Sequence, residues 1–149
     1  RGVVMSLSKK LQDWANQSLE RIEAVHRTSV DLLAQEMVRA KANGGNLPVD
    51  TGNLERGLLA SQTAMPKTSD QPSAGMDVGA FTVTMDVSKP TWLGFQPRYA
   101  RRMNFGFVGA DSKGRVYNQE GNHFVERAVA MWPQIVAAAV ADVKSNSKT

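Results

Sequence analysis

The chain has no cysteine. That excludes a disulfide framework, thiolate zinc sites, iron–sulfur clusters and cysteine nucleophiles, and it fits assembly in a reducing cytoplasm. Its two histidines, His26 and His123, lie far apart in sequence, so an imidazole metal site has little to build on and no cofactor is expected. No stretch reaches the roughly 18 consecutive apolar residues of a membrane-spanning helix. The opening Arg1-Gly2-Val3-Val4-Met5 is too short for a signal-peptide core, and Met5 is a candidate native start. A soluble protein with no membrane partner is expected. No Gly-rich loop ending in Lys-Ser or Lys-Thr is present, and Ser61, Ser69, Ser73, Ser88 and Ser112 lack the context of a nucleophile elbow. The sequence offers no convergent catalytic set.

What it does offer is 149 residues with 42% hydrophobic content, enough for one sizeable core and one domain spanning 1–149. The net charge of +4 and pI near 9.6 favour acidic partners mildly. Their distribution says more. The basic excess gathers at Arg98, Arg101, Arg102, Lys113, Arg115 and Arg127, which face either nucleic acid or an ordinary solvated or inter-subunit boundary. The absence of interleaved aromatics favours the second reading.

Between Ser6 and Ala42 there is neither proline nor glycine, and Leu7, Leu11, Trp14, Ile22, Val25, Leu32 or Leu33, and Met37 recur at helical spacing. The pattern predicts one long amphipathic helix, started by Ser6 or Ser8 and ended by Asn43-Gly44-Gly45-Asn46. At 1.5 Å per residue it runs about 55 Å, more than a domain of this size can cover. Ser18 and Ser29 interrupt the stripe, against a plain two-stranded coiled coil.

Beyond Leu47-Pro48-Val49-Asp50-Thr51-Gly52, residues 53–59 lead into an expected strand ending at Met65, and 66–75 reads as an exposed, mobile loop. Residues 77–87 alternate, with Phe81, Val83, Met85 and Val87 opposite Ala80, Thr82, Thr84 and Asp86. Alternation predicts a half-buried strand. Trp92-Leu93-Gly94-Phe95 is expected to pair with it or plug the core. Tyr99 to Phe105 suggests a short helix, and 106–121 a hairpin or flexible loop, with Asp111-Ser112-Lys113-Gly114 as a turn. A last helix is expected from an Asn122 cap, with a break near Met131 to Pro133 and a frayed tail over 145–149.

Asp50-Thr51-Gly52 is the triplet of aspartic proteases, in which two such loops share a proton and activate water. A homodimer could supply both. Here, however, the triplet follows a long helix and precedes Asn53-Leu54-Glu55-Arg56, and the better reading is a turn whose Asp50 or Thr51 caps a short helix while Gly52 eases the reversal. If Asp50 caps, Asp50→Asn is expected to cost about 0.5–2 kcal/mol.

The order of these pieces resembles the neck or tail-completion proteins of long-tailed bacteriophages. Pro48-Val49-Asp50-Thr51-Gly52-Asn53-Leu54 matches their Pro-x-Asp-Thr-Gly-x-Leu stretch; Tyr99-Ala100 stands ahead of Phe105-Gly106; and His123-Phe124-Val125-Glu126-Arg127-Ala128 is similar to their Pro-Phe-x-x-x-Ala helix opening. Two positions depart from the pattern, Asn104 for a usual Glu and His123 for a frequent Pro. The resemblance implies an α+β subunit, with the long N-terminal and the C-terminal helix packed on one side of a small antiparallel sheet. It implies packing roles for Leu54, Tyr99, Phe105, Gly106, Phe124 and Ala128. It implies a virion protein assembled in the bacterial cytoplasm as a ring of copies of itself, such as a hexamer, between head-closure or connector proteins and the tail terminator or tail tube. In that setting the loops 66–75 and 106–121 order against partners, and the basic segment faces packaged DNA or an acidic partner.

Overall fold

The computed structural model describes residues 2–147, the first four of them by backbone alone. One helix, α1, runs Gly2–Val38. It opens before Ser6 and Ser8, so neither serine caps it, and it closes earlier than the sequence pattern suggested. A 3-10 turn, Lys41–Asn43, follows, with Gly44 left-handed behind it. The Ala40–Leu47 bridge then fastens the reversal, Lys41 donating to the Leu47 carbonyl (3.0 Å) and Leu47 to the Arg39 carbonyl (3.1 Å). Leu47 is fully buried as a result.

A second 3-10 turn, Glu55–Gly57, leads into β1 (Leu58–Ser61), shorter than expected and starting sooner. Its partner is β2 (Trp92–Phe95), antiparallel, with Leu58 opposite Phe95 and Ala60 opposite Leu93. Between them, the expected strand at 77–87 is instead the helix α2 (Val78–Thr84). The alternation misled because the residues that are covered, half-buried Val78 and buried Thr82 and Met85, fall at helical spacing, while Val83 is largely exposed. Local bonds favour the helix too. The Asp77 carboxylate accepts from Ala80 N–H (2.9 Å), and the Thr82 and Thr84 hydroxyls return to the Gly79 and Phe81 carbonyls (2.8 and 3.3 Å). The Arg27 guanidinium of α1 donates to the Met85 carbonyl (3.2 Å), holding the end of α2 on α1.

The short helix α3 (Ala100–Phe105) runs directly into β3 (Gly106–Ala110), which pairs antiparallel with β4 (Val116–Glu120). The segment 106–121 is therefore a hairpin. Helix α4 (Phe124–Ala130) and helix α5 (Trp132–Asn146) follow, bent by 56° at Met131, where Pro133 sits in the first turn of α5 and needs no amide partner. The break expected near Pro133 is thus present. Lys148 and Thr149, the end of the tail expected to fray, lie outside the described residues.

The class is α+β, with the strands divided into two antiparallel ribbons. Two adjoining clusters make the core: Ala34 and Met37 of α1 with Leu58 and Ala128, and Leu47 with Leu54, Ala100 and Phe124. Val38, Phe95 and Val125 border both. Phe124, 1% exposed, meets Phe95 edge to face at 5.1 Å. Among the described residues no single helix is long and apolar enough to cross a membrane; the bent α4–α5 pair meets the length and composition criteria only when taken together.

Phe124→Ala removes the largest fully buried ring and leaves a cavity at the junction of both clusters. A loss of about 3–5 kcal/mol is expected, measured as a lower denaturant midpoint with an unchanged slope.

Candidate functional site

The three segments that carry the phage resemblance converge. Leu54, Ala100 and Phe124 belong to one core cluster, with Ala128 in its neighbour. The Tyr99 hydroxyl accepts a hydrogen bond from Asn53 Nδ2 (3.0 Å), while Asn53 Oδ1 accepts from Ser73 N–H (2.7 Å). Asn53 therefore ties the Asp-Thr-Gly turn to α3 and to the 66–75 loop. Ser69 adds a second anchor by donating to the Gln96 carbonyl (2.8 Å). The loop expected to be mobile is pinned at two points, although most of its side chains face water.

In the turn itself Gly52 has φ +77°, a conformation that favours glycine. Thr51 supplies the side-chain acceptor, its hydroxyl taking the Asn53 N–H at 3.4 Å. Asp50 is exposed and has no hydrogen bond or ion pair among the described residues. The Thr51 bond closes the turn and caps no helix: the 3-10 turn Glu55–Gly57 starts behind Leu54 with no side-chain cap among the described residues, so the cap expected of Asp50 or Thr51 is absent and the stability loss expected for Asp50→Asn loses its basis.

The junction of α3 and α4 is built more tightly. Asn104, 3% exposed, donates through Nδ2 to both carboxylate oxygens of Glu126 (2.9 and 2.8 Å) and accepts Val125 N–H through Oδ1 (3.0 Å). Its backbone carbonyl accepts His123 N–H (2.9 Å), and the Met103 carbonyl accepts both the backbone N–H (3.0 Å) and Nδ2 (2.7 Å) of Asn122. The last carbonyls of α3 thus take the two amides that lead into α4, and the Asn104 side chain takes the Val125 amide inside it. Asn122, expected as the cap of α4, is spent on α3. The cap position is His123, left-handed at φ 50° and ψ 38°, with no side-chain capping bond among the described residues. That φ excludes the proline found in the resembling family, whose ring fixes φ near −65°.

Gly106 is held at φ +86°, and a Cβ there would come within 2.5 Å of the Gln119 carbonyl oxygen. Phe105, expected to pack, points out and is 59% exposed. Beyond it Val108 and Val116, 77% and 83% exposed, share one face of the hairpin. The opposite face holds Phe107 and Tyr117, ring centroids 6.1 Å apart, and the Arg102 guanidinium lies 4.0 Å above Phe107.

That stacking bears on the basic segment. Arg98 pairs with Asp70 (3.3 Å), Arg115 with Asp111 (2.6 Å), and Arg127 donates to Asn46 Oδ1 (2.9 Å). Among the described residues only Arg101 and Lys113 of the six lack a recorded partner. All six remain exposed, and among the described residues only Arg98 and Arg115 of them meet a carboxylate. Asp111 anchors the hairpin tip: its carboxylate accepts from Arg115 N–H, the Arg115 guanidinium, Lys113 N–H and the Tyr117 hydroxyl. These bonds, led by the Arg115 amide, hold its carboxyl below the usual range. The Ser88 hydroxyl and amide do the same for Asp86.

Sequence reasoning missed one region. The apolar side chains Leu7, Leu11, Trp14, Leu19 and Ile22 on the outer half of α1 are 56–69% exposed. The excess length of the helix was legible, but not which half would be left over. Among the described residues no three His, Asp or Glu side chains gather as a metal site.

Two outcomes are expected. Asn104→Asp keeps the acceptor for Val125 but sets a carboxylate against Glu126. It should destabilise by about 1–3 kcal/mol, with Glu126→Gln in the same chain restoring most of the loss in a double-mutant cycle. Because the Asp111 pKa is lowered on folding from 3.8, its contribution is complete above that value and disappears as pH falls through the folded pKa. Hairpin-tip NMR signals should therefore broaden or shift on acidification below about pH 4, and Asp111→Asn should show the acid form at neutral pH.

Compared with known proteins, the chain matches no family model, no curated protein and no solved structure.

Proposed function

We propose that the chain is a structural, non-catalytic subunit of a ring in the neck or at the top of the tail of a long-tailed phage, joining head to tail during assembly. One observation carries the reading. The outer half of α1 leaves the body with five large apolar side chains uncovered, a surface that a solitary soluble protein does not need. The hairpin adds Phe105, Val108 and Val116. The motif segments support the same assignment by forming one packed joint in which Leu54, Ala100, Phe124 and Ala128 are buried. Self-association into a ring, with the hexamer as one size, gives the helix something to pack on. Head-closure or connector proteins and the tail terminator or tail tube are the neighbours on this reading, and the virion is its location.

The protease reading loses support from Asp50, which is exposed and unoriented by hydrogen bonds. A nucleic-acid reading rests on Arg101 and Lys113, and it requires binding to DNA that weakens steeply with salt. If the ring's channel uses them, Arg101→Glu with Lys113→Glu should impair DNA passage; unchanged passage would remove channel lining from the proposal.

The decisive measurement is on particles. Disrupting the gene in its phage should leave DNA-filled heads and separate tails that join when the wild-type chain is supplied, and antibodies to the chain should label the head–tail junction by electron microscopy. Normal joined virions in the absence of the chain would overturn the proposal.

A further inference from the structure

Resting on the ring reading, we infer that the outer half of α1 packs across the outward face of α5 on a second copy of this chain. Leu7, Leu11, Trp14, Ser18, Ile22, Val25 and Ser29 fall on one face of α1. At the inner end that face is covered by its own α5, where Ile22, Val25, Val140 and Val143 line a groove and Ser29 is buried. Its own α5 runs antiparallel to α1: Ala128, just before α5, packs against Ala34 and Met37, whereas Val143 and Ser147 reach Arg21 and Ile22. Because α5 ends at Asn146, the stripe from Ile22 outward goes on without cover.

The same α5 presents a second surface. Gln134, Ala137, Ala138, Ala141 and Ser145 share its outward face, all exposed and none charged. Exposed Asp142 and Lys144 flank this strip, and its small side chains let another helix approach closely. The large residues of α1 and the small ones of α5 are complementary in shape, and the five small or amide positions themselves bring no charge that would have to be stripped of water. One chain cannot join them, because its own α1 already occupies the opposite side of α5.

Area selects between a pair and a ring. Residues 7–22 of α1 span about 24 Å and present a strip about 10 Å wide, the diameter of a helix. Even with side-chain flanks that is on the order of 300–600 Å², below the roughly 800 Å² per partner of a stable interface. A head-to-tail arrangement uses each chain twice, once through α1 and once through α5, and closure adds a contact without a further subunit. In a ring of many copies the rotation between neighbours is small, so α1 meets the next α5 roughly antiparallel, as it meets its own.

The absence of cysteine makes the test clean. Ser18→Cys and Ala138→Cys, combined in one chain and treated with a short bis-maleimide, should give a ladder of dimer, trimer and higher species on a denaturing gel. Either change alone should give no ladder. Ala138→Arg with Ala141→Glu, on an exposed face where folding is untouched, should shift the native mass to that of the monomer with an unchanged circular-dichroism spectrum. A dimer from Ser18→Cys alone would mean that α1 pairs with itself and would overturn the inference. An oligomer that yields no ladder and survives the charged substitutions would overturn this contact while leaving the ring reading in place. A wild-type chain that stays monomeric at high concentration would remove both.

Discussion

One buried amide sets how the last helices join the body. Among the described residues Asn104 alone reaches from the end of α3 to both the backbone and a side chain of α4, and α4 carries Phe124 and Ala128 into the two core clusters. An amide is the right chemistry there because it presents a donor to Glu126 and an acceptor to Val125 at once. A carboxylate could satisfy only the second. His123 serves the same joint, since the chain turns there through a left-handed residue just after the Asn122 and His123 amides meet the Met103 and Asn104 carbonyls.

Long periodic elements were legible in the sequence, and local competition decided the rest. α1, the break before α5 and the short helix at α3 follow from periodicity and from proline, signals that act over many residues or through a covalent constraint. α2 did not follow, because Phe81, Val83 and Met85 alternate while the coverage supplied by α1 repeats every three or four residues; tertiary packing chose between two patterns present in the same eleven positions. The Asp-Thr-Gly turn was placed correctly, yet the cap expected of Asp50 or Thr51 is a bond within the turn, from Asn53 N–H to the Thr51 hydroxyl, because the short helix behind it starts only at Glu55. The Asn104–Glu126 bond joins residues 22 apart and leaves no periodic trace at all. The basic segment shows the same limit from the other side: its six cations are exposed, but the contacts that four of them make, with Asp70, Asp111, Asn46 and the Phe107 ring, leave no trace in their order along the chain.

Burial is distributed unevenly. The large, fully covered side chains gather where α1, α3, α4 and the first ribbon meet, whereas the hairpin is a two-stranded sheet with one apolar face in water, an arrangement that is marginal by itself. Asp111, with four hydrogen bonds to the tip, and Arg102 on Phe107 compensate locally. A small domain can keep such an arm if its tip and root are both tied, and here the root is Gly106, whose backbone admits no side chain.

The projecting half of α1 is also a lever. Its root is gripped at Ser29, Val30, Ala34 and Met37, and the residues before Ser29 reach about 40 Å beyond that region at 1.5 Å per residue. A tilt of about 10° at the root, such as a change of side chain at Ala34 or Met37 could cause, swings the tip by about 7 Å. Small residues deep in the body thus set the position of distant ones. Substitutions that never touch the outer surface can alter how wide an assembly of these chains opens.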